Sequence, residues 1–227
     1  KVNMKVYFIT GTDTDSGKTV VTQAVLQHLA DKGLKTLAMK PVASGCDWDG
    51  TRWINADATN ARRHMTLDCD YALTNPYAFE PAIAPHIAAQ EAGVSLSLED
   101  MLQQFERLVA LNPDAIVVEG AGGWLLPLSE RLMMPEFVKA INAEVILTVG
   151  MKLGCLNHAM LTEQAIFSSS VPITGWITNQ PTVEPMARFE QNLDTLMQRM
   201  ASSHLGSISF DANWQNLALG HLINLPD

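Results

Sequence analysis

The chain has 227 residues and a mass of 24.8 kDa, enough to bury one substantial core. With 47% hydrophobic and 17% charged residues, and no apolar run near the ~20 residues of a membrane helix, it reads as a globular protein that neither spans a membrane nor stays disordered. A formal net charge of −9 argues against nucleic acid or an anionic membrane as partner, so any bound phosphate must be met by cations placed locally.

The N-terminal Lys1 to Met4 contains no apolar signal core, and Met4 is read as the start of the natural chain. Cys46, Cys69 and Cys155 lie far apart with no paired-ligand spacing, which argues against a zinc site or a disulfide framework and fits a reducing cytoplasm. A β-branched and aromatic run predicts a strand over 6–10. It ends at Gly11, and Val20, Val21, Ala24, Val25, Leu26 and Leu29 then recur with helical spacing. A second strand is predicted over 36–39. The stretch 46–94, rich in Asn, Asp and Pro, reads as a long excursion and not as a second domain. Beyond it, helices over 98–111, 135–141 and 156–167 alternate with strands over 115–118, 145–149 and 173–177, and a last helix is predicted over 185–200. Strands alternating with helices predict an α/β fold, one domain over 1–227, built on a mainly parallel sheet with helices on both faces.

Such sheets bind ligands outside the carboxyl ends of their strands, so the residues after each strand are the ones to inspect. After the first come Gly11-Thr12-Asp13-Thr14-Asp15-Ser16-Gly17-Lys18-Thr19, a P-loop whose backbone N–H groups and following helix favour a phosphate. Lys18 would reach the β- and γ-phosphates of ATP, and the Thr19 hydroxyl would lie on Mg²⁺. The loop is one residue longer than the usual G-x-x-x-x-G-K-[ST], and Asp13 and Asp15 are unusual in a phosphate cradle. Glu119, directly after the buried strand over 115–118, is placed to hold the metal, with Asp57 as a second carboxylate. The glycines of Gly120-Ala121-Gly122-Gly123 exceed what a strand exit needs. Lys40 closes the second strand, where a further cation could neutralise a phosphoryl group or an anionic substrate, and Ser44-Gly45 follow as a small polar loop. His158 reads as a packing residue and Cys155 as a small packed thiol, since neither has an evident partner for catalysis.

In chain order, Gly11-Thr-Asp-Thr-x-x-Gly-Lys-Thr19, Lys40-Pro-Val-Ala-Ser-Gly45, Val118-Glu-Gly-Ala-Gly-Gly-Trp124, Gly154-Cys-x-Asn-His-Ala-Met-Leu-Thr162 and Gly175-Trp176-x-x-Asn179 resemble the dethiobiotin synthetase family. The resemblance implies an ATP- and Mg²⁺-dependent reaction: diaminopelargonic acid and carbon dioxide give a carbamate, ATP phosphorylates it, and the second amine closes a ureido ring. It implies that Lys18 and Lys40 stabilise carbamate and phosphoryl oxygens, that Thr14 and Ser44 hold substrate and carbamate, and that Thr19, Asp57 and Glu119 coordinate Mg²⁺. Nucleotide contacts are expected from Asp13, Asp15, Ser16, Gly17, Glu119, Gly120, Ala121, Gly122, Ser209 and Phe210, with Asn179 against adenine. Substrate contacts are expected from Gly122, Gly123, Lys152, Leu153, Gly154, Cys155 and Asn157, the loop over 152–157 coming from the second subunit of a homodimer.

Some positions depart from the family pattern. Asp15 stands where Glu is expected, Gln180 where Asp is common, 207–210 lacks the usual proline, and Gln215 replaces an acidic residue, leaving nucleotide selectivity open. A switch ATPase of the ParA and MinD type is a competing reading, but its signature lysine is replaced by Asp13 and it would have no use for Lys40 to Gly45. A cobyrinate-type amidating synthetase, or a paralogue with another substrate, are the remaining ones.

Overall fold

The computed structural model describes residues 4–226; the reading of Lys1 to Asn3 lies outside them. In chain order the elements are β1 (Lys5–Gly11), α1 (Lys18–Asp31), β2 (Thr36–Met39), β3 (Val42–Ala43), β4 (Asp47–Trp48), β5 (Trp53–Ile54), α2 (Ala56–His64), α3 (Tyr71–Thr74), β6 (Tyr77–Ala78), α4 (Pro85–Glu91), α5 (Leu98–Val109), β7 (Ala115–Glu119), α6 (Met134–Ala140), β8 (Glu144–Gly150), α7 (Cys155–Ser168), β9 (Ile173–Asn179), α8 (Phe189–Arg199) and β10 (His204–Ile208). Six strands form one sheet in the order β10-β9-β8-β1-β7-β2, and every neighbouring pair is parallel. All five residues of β7 and all four of β2 are buried, as expected of strands covered on both faces.

Side-chain alternation divides the core. Tyr7 and Ile9 of β1 join Val21, Val25 and Leu29 of α1 on one face, together with Leu219, Ile223 and Leu225 near the C-terminus. Val6 and Phe8 of the same strand pack on the other face with Met101 and Phe105 of α5 and Phe137 of α6. A further cluster there joins Leu147, Val149 and Trp176 to Ala159 of α7 and Leu196 of α8.

The predicted elements need two corrections. The last helix begins at Phe189, not at 185, because Arg188 is in the left-handed conformation, with φ 59°, and forms its N-cap. A tenth strand, β10, was not predicted. Leu205 and Ile208 are its buried residues, spaced by three, and the register shifts between His204 and Gly206, so no two-residue alternation marks it. The excursion over 46–94 contains three helices and short two-stranded pairings, and it serves the sheet edge. The Lys40 N–H donates to the Thr74 carbonyl at 2.7 Å, and the Asn75 amide donates to the Lys40 carbonyl at 2.8 Å.

Candidate functional site

The loop between β1 and α1 is set by steric demands that glycine alone meets. Gly17 has φ 98°, and a Cβ there would lie 2.1 Å from the Asn179 amide nitrogen; one on Gly11 would lie 2.1 Å from the Ser16 hydroxyl. Asp15, also left-handed at φ 60°, completes the bend. The Asn179 amide donates to the Ser16 carbonyl at 3.2 Å, which holds the loop against the end of β9. No side chain caps α1, so its first N–H groups are free to meet an anion. Lys18 folds back toward the loop, donating to the Asp13 carbonyl at 3.1 Å. Burial, reinforced by Lys40, lowers its pKa to about 8 against the opposing pull of Glu119, Asp57 and Asp15.

Lys40, 5% exposed, is the hub of the site. Its ammonium donates to Glu119 Oε1 at 3.0 Å and to the Gly120 carbonyl at 3.2 Å, and it pairs with Asp57 Oδ2 at 3.1 Å. Burial works against its charge, but the Glu119 and Asp57 carboxylates outweigh it and raise the pKa. Burial likewise pushes the Asp57 carboxyl up, and Lys40 overrides it, so the net shift is downward. Asp57 is aimed by the start of α2, where Asn55 Oδ1 accepts from the Asp57 and Ala58 N–H groups at 3.0 and 3.2 Å.

The donor set suits a hard cation. Thr19 Oγ1 donates to Glu119 Oε1 at 3.0 Å, while Glu119 Oε2 is buried without a hydrogen-bond partner. Glu119 and Asp57 converge here beside Lys40 and Lys18, and all the candidate ligands are oxygens, the preference of Mg²⁺. Among the described residues no three His, Cys, Asp or Glu side chains form a metal cluster, so these oxygens could offer a cation only part of its coordination shell, with phosphates and waters completing it.

These groups open on a cleft of about 420 Å³. Thr14, Asp15, Gly17, Lys18, Thr19, Lys40, Ser44, Asp57, Glu119, Ala121, Gly122, Asn179, Ser209 and Phe210, all anticipated from the sequence, line it. Other anticipated residues lie elsewhere. Ser16 is buried under the loop, with its hydroxyl unpartnered. Gly120 backs onto the Phe8 ring, where a Cβ would come within 2.9 Å, and Gly123 lies behind Gly11. Asp13 is exposed and pairs with Lys152 at 3.1 Å, which lowers the Asp13 pKa through that hydrogen bond.

The loop over 152–157 stays outside the cleft. Lys152 and Leu153 line a separate depression with Asp15 and Pro181, Gly154 starts α7 with φ 96°, and Asn157 is exposed. Cys155 is 1% exposed and its thiol packs in the cluster around Trp176, as the reading of a small packed thiol expects. Sequence reasoning missed Val20, Asn55, Pro181, Asp211 and Trp214, which also line the cleft. Asn55 carried a legible signal, an Asn standing as N-cap two residues before Asp57. Trp214 carried none, because chain folding alone brings it there.

A family model described as an AAA domain matches residues 5–216. A protein of Idiomarina loihiensis named ATP-dependent dethiobiotin synthetase is 46% identical over 211 residues, covering 93% of this chain and 95% of that one. Proteins with the same name from Pseudoalteromonas translucida and Aeromonas hydrophila are 46% and 42% identical, covering 87% and 92% of this chain and 86% and 92% of theirs. Among solved structures, MinD of Pyrococcus horikoshii complexed with Mg-ADP superposes with a TM-score of 0.57 at 15% identity, over 96% of this chain and 92% of that one. A ParA family ATPase of Chlorobium tepidum gives 0.56 at 16%, over 96% and 90%. At that identity the likeness is one of fold, the mostly parallel sheet of P-loop NTPases.

Proposed function

The chain belongs to the ATP-dependent dethiobiotin synthetase family, a family of ligases, and from that premise we propose that its cleft carries out the family's ring closure by phosphorylating a carbamate. One amine of diaminopelargonic acid attacks carbon dioxide, forming a C–N bond and releasing a proton. A carbamate oxygen then attacks the γ-phosphorus of ATP, and the P–O bond to ADP breaks. The second amine attacks the carbamate carbon, phosphate leaves, and the ureido ring of dethiobiotin closes.

Lys18 and the N–H groups at the start of α1 bind the triphosphate. Lys40 lies where the carbamate and the transferring phosphoryl group meet, with Thr14 and Ser44 orienting the substrate. Thr19, Asp57 and Glu119 would hold Mg²⁺, which neutralises phosphate charge when bound. Asn179, Ser209 and Phe210 face the nucleoside. A second copy of the chain supplies the loop over 152–157, and Leu153, 93% exposed, and Leu161, 57% exposed, offer it apolar surface to cover. No helix among the described residues is long and apolar enough to cross a membrane, in keeping with small dissolved substrates.

The observation that carries this reading is the buried Lys40 held between Glu119 and Asp57 beside the phosphate loop. A carbamate has no need of a nucleophilic side chain, but it does need its charge met at the point of attack. Purified protein incubated with diaminopelargonic acid, bicarbonate, Mg²⁺ and ATP is expected to yield dethiobiotin, ADP and phosphate by mass spectrometry. Release of ADP without dethiobiotin would mean a different acceptor. Glu119→Gln keeps the shape and removes the charge, so the Mg²⁺ concentration for half-maximal rate is expected to rise about tenfold or more. An unchanged Mg²⁺ dependence in that variant would take Glu119 out of the metal site.

A further inference from the structure

The sheet order divides the cleft chemically. β1 delivers the phosphate loop at the centre; β7 and β2 lie to one side and deliver Glu119 and Lys40, while β8, β9 and β10 lie to the other. The cationic and carboxylate groups therefore stand on one side of the loop. On the other, Asn179 ends β9 and Phe210 follows β10. The chain then turns back along α1, so that Trp214 and Val20 also line the cleft. The half-buried Trp214 packs with Val20 against the core on the α1 face.

Trp214 is held in place through its main chain by α1. Gln23, fully buried, donates through its amide to the carbonyls of Trp214 and Leu217, each at 3.0 Å, and accepts from the Asn60 amide of α2 at 3.1 Å. One turn further on, Gln27 donates to the Leu217 carbonyl at 2.9 Å and accepts from the Leu219 N–H at 2.6 Å. Gly220 approaches so closely that a Cβ would lie 2.6 Å from the His28 nitrogen. A buried glutamine satisfied at both ends of its amide, on the helix that opens at Lys18, ties the aromatic strap to the phosphate loop.

Resting on the proposed use of a nucleoside triphosphate, we infer that Trp214 is the stacking platform for the nucleotide base and that Gln23 is the positioning residue that holds it over the cleft. An indole face gains from stacking on any base and most from the larger purines, so this residue contributes affinity and a purine preference without reading hydrogen-bond donors.

Trp214→Ala is expected to raise the KM for ATP about tenfold or more. The KM for the diamine and kcat should stay within about twofold, Trp214→Phe should recover most of the loss, and the preference for ATP over CTP should shrink. Titrating the full-length protein with Mg-ADP, read by intrinsic tryptophan fluorescence, should show quenching in the wild type that Trp214→Phe removes. Gln23→Ala should raise the same KM, and the double variant should add little to Trp214→Ala, because both act on one platform.

Unchanged nucleotide affinity in Trp214→Ala, or equal rises in the KM of both substrates, would overturn the inference; so would quenching that persists in Trp214→Phe. These outcomes separate from a failure of the reaction assignment. A wild type that binds ATP and makes no dethiobiotin, with Trp214→Ala still weakening the nucleotide, supports the platform and rejects the substrate. If Gln23→Ala does not fold, the Trp214 variants and the fluorescence titration still decide the matter.

Discussion

Replacing Lys40 by glutamine is expected to lower dethiobiotin formation by about 10²–10³-fold while ADP affinity stays within a few-fold of the wild type. Lys40 reaches its partners from the end of β2, away from the N–H groups of α1 that would hold the α- and β-phosphates. Its ammonium is the centre of three contacts, with Glu119, Asp57 and the Gly120 carbonyl, and a neutral, shorter glutamine cannot meet all three. The substitution also leaves Glu119, 2% exposed, facing Asp57 without a cation between them. Breaking a buried pair in this way costs about 3–5 kcal/mol, so a melting curve with and without Mg²⁺ should accompany the rate measurement. If product formation and ADP binding fall together in a variant that is still folded, Lys40 is a nucleotide contact and not the group that meets the carbamate.

Gly17→Ala should damage both the fold and the loop. A non-glycine residue at φ 98° pays the left-handed penalty, and its Cβ would collide with the Asn179 amide, displacing the hydrogen bond from Asn179 to the Ser16 carbonyl. Together these effects cost about 2–4 kcal/mol, which for a chain of this size lowers Tm by roughly 5–15 °C. Nucleotide affinity should fall about tenfold or more, since even 1.4 kcal/mol of loop distortion is worth a factor of ten. Calorimetric titration with ATP well below the melting point tests this directly. Wild-type affinity there would mean that the conformation of Gly17 is not what shapes the anion site.

Much of this molecule was legible before folding. Continuous apolar runs marked β1, β2, β7, β8 and β9, and the spacing from Gly11 to Thr19 between a strand and a helix marked the phosphate loop. Lys18, Thr19, Lys40, Ser44 and Glu119, at or beyond the carboxyl ends of those strands, do line one cleft, because a parallel sheet gathers its carboxyl ends on one edge. β10 escaped notice because an edge strand of mixed polarity, interrupted by a register shift, carries no period. Cys155, read as a small packed thiol, is one, although a loop position next to polar residues gives no sign that the first turn of α7 directs it into the Trp176 cluster.

Periodicity and motif spacing are properties of neighbouring residues, so the sequence by itself determined the α/β alternation, the phosphate loop and the identity of the ionic residues. Burial and pairing are properties of distant residues, and these only the tertiary structure decided. It joined Lys40 to Glu119 across 79 positions and Gln23 to Trp214 across 191. The first contact turns a strand-end lysine into a buried charge hub. The second brings an aromatic ring near the C-terminus to the mouth of a loop near the N-terminus, because α1 buries a glutamine that is satisfied by the carbonyls of that returning strap and the Asn60 amide of α2.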